Sequence, residues 1–71
     1  MNKAQFMSVA KPLKVEIEGM PQLTTVMEFS SGNLGWNANG KITIELPNGE
    51  SVYCQLGMNI TVINSKKWAN G

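Results

Sequence analysis

The sequence predicts an all-β fold: a small single domain built as a meander of about six short strands, closed or half-open as a barrel. Three observations predict it. From Leu13 onward apolar residues recur with a period of two, the period of a half-buried strand. The segments are short and rich in Val, Ile and Thr. Gly, Pro and Asn fall between them, where turns are needed.

Residues 2–10 stand outside that pattern. Asn2 is a helix-capping residue, Phe6, Val9 and Ala10 share one side, and Pro12 follows. This segment admits a short helix, an edge strand or a frayed arm. Leu13–Glu18 alternates Leu13, Val15 and Ile17 with Lys14, Glu16 and Glu18, so it reads as a strand broken by Gly19, Met20 and Pro21. Gln22–Ser30 alternates again, with Leu23, Thr25, Met27 and Phe29 on one face and Thr24, Val26 and Glu28 on the other. Four further strands are expected at Leu34–Asn37, Lys41–Leu46, Glu50–Leu56 and Asn59–Asn64. Gly57 interrupts the last two as a turn or a bulge.

Two Asn-Gly pairs set the register. Read as a three-residue loop, Ala38-Asn39-Gly40 places Trp36 opposite Ile42 and Leu34 opposite Ile44. Pro47-Asn48-Gly49, read the same way, pairs Leu46 with Glu50, Ile44 with Val52 and Ile42 with Cys54. Both then match apolar with apolar, which a one-residue slip would destroy. Each is expected to be a type I turn closed by a left-handed Gly. Closure into a barrel of SH3-like or OB-like size would remove the open edges. The rival is a bent open sheet that pairs with another copy. The organisation expected is an N-terminal arm or short helix at 1–12, the β-domain at 13–64 and a tail at 65–71.

Length and composition limit the function. The chain has 71 residues with 42% hydrophobic and 15% charged, against about 25% charged in ordinary domains. Chains this small usually rely on a disulfide, a metal or a partner subunit. One Cys excludes an internal disulfide, and with no His there is no ordinary zinc or transition-metal ligand set. No metal and no cofactor are therefore expected, and a partner or self-association is favoured.

Catalysis is not expected either. The usual general base near neutral pH is missing with His. Cys54 alternates with Val52 and Leu56 on the core face, where a thiol is structural. Glu16 and Glu18 alternate with apolar residues and form a solvated face rather than a catalytic pair. Gly32, Gly35 and Gly40 precede no helix and cannot form a phosphate loop.

The leading expectation is a non-catalytic interaction protein. It works through protein–protein contacts and self-associates as a homo-oligomer, in the manner of a phage or plasmid accessory or inhibitor protein. Val26, Tyr53 and Ile63 are apolar on the face that alternation gives to solvent, and Met20, Met58 and Trp68 lie near strand ends. An interaction surface is expected at Val26, Tyr53, Ile63, Met58 and Trp68. The alternative is a small β-barrel that binds single-stranded nucleic acid. Its patch would be Lys3, Lys11, Lys14, Lys66 and Lys67, since the ends are basic and the body is acidic. The absence of Arg weighs against it. No apolar run reaches the roughly 18 residues of a membrane span. Met1–Pro12 lacks the pattern of a secretory signal. A cytoplasmic protein with no membrane partner is expected.

Overall fold

The N-terminal segment is a helix, α1 (Lys3–Val9). A helix of seven residues is marginal alone, so its ends and its one buried residue decide whether it forms. Asn2 caps it reciprocally. The Gln5 N–H donates to Asn2 Oδ1 at 2.8 Å, and the Asn2 N–H donates to Gln5 Oε1 at 2.9 Å. Phe6 is its only buried side chain. The Lys3 N–H donates to the Ala69 carbonyl at 2.8 Å and so ties the two ends of the chain together. These features belong to a computed structural model, which describes residues 1–70. Gly71, the last residue of the expected tail, lies outside the described residues.

Five strands follow: β1 (Lys14–Ile17), β2 (Met20–Leu23), β3 (Thr25–Glu28), β4 (Leu34–Glu45) and β5 (Ser51–Thr61). They form two antiparallel sheets, β1-β2 and β3-β4-β5. The fold is thus small and mostly β with one short helix. The expected six strands are five, and among the described residues the sheets stay open instead of closing into a barrel.

Three local differences produce that change. Glu18 and Gly19 both take positive φ, 50° and 76°. They make the two-residue turn that suits a tight hairpin, so Met20 and Pro21 begin β2 instead of breaking the chain. Pro21, opposite Glu16, is tolerated because the two-stranded sheet consists only of edges.

The single strand expected over Gln22–Ser30 is two strands that belong to different sheets. Thr24 is the pivot. Its hydroxyl accepts from the Leu13 N–H at 2.8 Å and donates to the Leu13 carbonyl at 3.1 Å, while its own N–H reaches that carbonyl at 3.0 Å. This satisfies a residue that is only 2% exposed and lets the chain exchange partner β1 for partner β4. Leu23, expected on the apolar face, is exposed as a result.

Finally, Ala38-Asn39-Gly40 is no loop. It lies inside β4, with Asn39 opposite Gly57 and Gly40 opposite Leu56. Trp36 faces Val26 on one side and Ile60 on the other, not Ile42. Gly40 lacks the positive φ such a loop requires. The Asn39 amide instead donates to Asn37 Oδ1, and Asn37 Nδ2 donates to Asn59 Oδ1 at 2.7 Å, so the three side chains line one face of the sheet. The Gly57 break disappears with its partner, and β5 runs unbroken.

The Pro47-Asn48-Gly49 loop is as expected. Ile44 pairs with Val52 and Ile42 with Cys54. The Leu46 N–H donates to the Glu50 carbonyl at 2.7 Å, and the Gly49 N–H to the Leu46 carbonyl at 3.0 Å. Gly49 has φ 89° with open space around it. Gly49→Ala should therefore cost about 1 kcal/mol, all of it conformational. A urea midpoint equal to the parent's would contradict the assignment.

Candidate functional site

The β4–β5 hairpin is the longest feature of the molecule. Its two strands have 12 and 11 residues, or roughly 40 Å at the usual rise. The molecule measures 51 × 21 × 15 Å with a radius of gyration of 15.4 Å, against about 11 Å for a compact domain of this length.

The core is thin and runs along one side of β4, from Leu34 at the base of the hairpin to Ile42. Phe6, Leu34, Ala38 and Ile42 are its buried apolar side chains. Phe6 meets Trp36 edge-on at 5.4 Å between ring centres and Trp68 at 6.2 Å. The Trp36 indole N–H donates to the Lys11 carbonyl at 2.8 Å. A Ser65–Lys67 3-10 turn closes the base. There Ser65 Oγ, fully buried, accepts from the Leu34 N–H at 2.7 Å and donates to the Val62 carbonyl at 2.7 Å. Asn33 Oδ1 accepts from the Lys66 N–H at 2.8 Å.

Outside this row the hairpin has little cover. The even-numbered side of β5 carries Cys54, Leu56, Met58 and Ile60, all half-buried, while the odd-numbered side is exposed. The β1-β2 turn reaches β4 near its tip, where Glu18, Met20, Thr43, Ile44 and Glu45 line an open recess of about 250 Å³.

The expected interaction residues fall on different parts of the molecule. Val26 and Met58 share the even side of the sheet and are half-buried. Trp68 packs on Phe6. Tyr53 is on the opposite side, 75% exposed, with the Lys41 ammonium 6.0 Å from its ring centre. Ile63 is 83% exposed beyond the end of β5, ten residues and about 33 Å along the chain from Tyr53. The five residues form no single patch.

Of the expected basic patch, Lys3 and Lys66 come together, and both side chains lie beside Gly32. Lys3 is already paired with Glu28 at 3.6 Å. Lys11 precedes β1, Lys14 is its first residue, and Lys67 ends the 3-10 turn.

The feature that sequence reasoning missed is the continuity of β5, expected as two strands broken at Gly57. Ser51–Thr61 contains no charged residue and no Pro. Its outer edge has no partner strand among the described residues. The other strands carry the residues that discourage edge pairing: Lys14 and Glu16 in β1, Pro21 in β2, Glu28 in β3, Lys41 and Glu45 in β4. The signal was present as eleven uncharged residues, hidden by reading Gly57 as an interruption.

Compared with family models, curated proteins and solved structures, the chain matches none of them.

Proposed function

We propose that this is a non-catalytic interaction protein that acts through protein–protein contacts and self-associates. In the cytoplasm it would serve as a small accessory or inhibitor protein of phage or plasmid type. The observation that carries this reading is the mismatch between core and length: four buried apolar side chains among the described residues, which extend over 51 Å. The accessible surface is 5108 Å², whereas a compact monomer of 7.8 kDa exposes about 4,400 Å². The surplus, about 700 Å², is close to what one partner buries at a standard interface. Cys54, Leu56, Met58 and Ile60 supply apolar surface of the kind such a contact covers.

Single-strand binding needs exposed rings beside a basic groove. Trp36 and Trp68 are both packed against Phe6, and Lys3 is engaged by Glu28. Tyr53 is the exposed ring, at the far end of the hairpin from Lys66. Labelled oligonucleotides titrated at two salt concentrations separate the two classes. The expected result is no binding tighter than about micromolar at physiological salt. Nanomolar, salt-sensitive binding that Lys66→Glu with Lys67→Glu abolishes would overturn the reading.

A further inference from the structure

We infer that the outer edge of β5 is the site where a second copy of this chain binds, antiparallel, to make one continuous six-stranded sheet. The inference rests on the self-association proposed above and specifies its place and register.

Hydrogen bonds at the two ends of the β4–β5 ladder determine which groups the edge offers. The Leu46 N–H donates to the Glu50 carbonyl, and the Val62 N–H to the Leu34 carbonyl. Between these ends the register is unbroken from Glu45↔Ser51 to Gly35↔Thr61. Bonded and non-bonded pairs alternate in an antiparallel ladder. The even residues of β5 therefore bond to β4. Ser51, Tyr53, Gln55, Gly57, Asn59 and Thr61 direct their N–H and C=O groups outward, away from the sheet.

Two such edges complement each other about a two-fold axis through Leu56. Ser51 then faces Thr61 of the other copy, Tyr53 faces Asn59 and Gln55 faces Gly57. Every outward group finds a partner, in about a dozen backbone hydrogen bonds. On the even side Val52 meets Ile60, Cys54 meets Met58 and Leu56 meets itself, so the apolar row, exposed at Val52 and half-buried beyond it, continues across the junction. With no charge on β5, no like charges are opposed.

Charge also favours a second copy in this orientation. Glu45, Glu50 and Glu18 lie towards the hairpin tip, and Lys66 and Lys67 at its base, where Lys3 is paired with Glu28. Antiparallel pairing sets the acidic tip of each copy towards the basic base of the other.

Proline at an outward position removes an edge donor without removing a bond to β4. Gln55→Pro should be monomeric by light scattering yet keep the parent's β-type circular dichroism, while Gln55→Thr, which keeps the N–H, should stay dimeric. Crosslinking gives an answer that does not depend on how Gln55→Pro folds. In a Cys54→Ser background, Leu56→Cys places two thiols across the two-fold axis, with Cα atoms about 4.5 Å apart, within reach of a disulfide. Oxidised glutathione, taking up the two electrons, should convert this variant to a covalent dimer. Asn48→Cys in the same background, at the tip, should stay uncrosslinked. A dimeric parent whose Leu56→Cys variant does not crosslink, or a folded Gln55→Pro that stays dimeric, overturns edge pairing and leaves self-association standing. A monomeric parent overturns both.

Discussion

Gly35→Ala is expected to open the base of the sheet and cost about 3 kcal/mol or more in urea denaturation, at or above the upper end of overpacking effects. Gly35 is buried and pairs with Thr61. A Cβ added there would lie 1.9 Å from the Ile60 carbonyl oxygen and 3.0 Å from Phe29 Cε2. The first obstacle is backbone, so no rotamer change relieves it. Either β5 moves away from β4 at its base, or Phe29, whose N–H donates to the Asn33 carbonyl in the turn between β3 and β4, is pushed off the ladder. For a chain of 71 residues total stability is about 4–10 kcal/mol, so the variant should be largely unfolded near physiological temperature. Gly40→Ala is the control. It lies in the same strand with nothing within 4 Å of its added Cβ and should change stability by less than about 1 kcal/mol. Equal midpoints for the two variants would show that the close approach at Gly35 costs nothing.

Phe6→Ala is expected to cost about 3–5 kcal/mol, the range for emptying a buried aromatic site. The reason is the small number of parts that hold the base together. Phe6 is the only side chain through which α1 is buried, and it touches both tryptophans. Without it the helix keeps its Asn2 cap and the Lys3–Ala69 backbone bond, too little to hold seven residues helical. Trp36 and Trp68 would gain solvent together. Tryptophan emission should shift to longer wavelength in the variant at concentrations where the parent is folded. Parent-like emission and stability would mean that the β4–β5 sheet holds without α1.

Local chemistry that involves only near neighbours was legible in the sequence. The Pro47-Asn48-Gly49 loop and its register follow from matched apolar faces and the need for a left-handed Gly. The Asn2 cap made a helix one of the readings of residues 2–10. What could not be read depends on bonds between distant residues. Nothing in Leu23-Thr24-Thr25 indicates that Thr24 bonds sideways to Leu13 and divides one alternating run between two sheets. Ser65 lies in a basic, polar stretch, yet its hydroxyl is buried because it accepts the Leu34 N–H from 31 positions away. Asn39-Gly40 and Gly57 each look like an interruption when read alone. They face one another across the ladder, so each is continued by the other's strand. That misreading shortened the hairpin, concealed the length of the uncharged β5 edge and made four strands of two, while the run divided at Thr24 had been counted as one. The same residues scattered the expected surface: alternation put Val26 and Tyr53 on solvent faces, but Val26 is half-buried beside Trp36.

The central claim is that a chain with this thin a core covers surface with another copy. Sedimentation equilibrium across about 1–100 µM, the range in which an association of moderate strength changes population, measures this directly. The account predicts a mass of twice 7.8 kDa at the upper concentrations, falling towards 7.8 kDa on dilution. A mass of 7.8 kDa throughout, with folded structure undiminished at the lowest concentration, would contradict it.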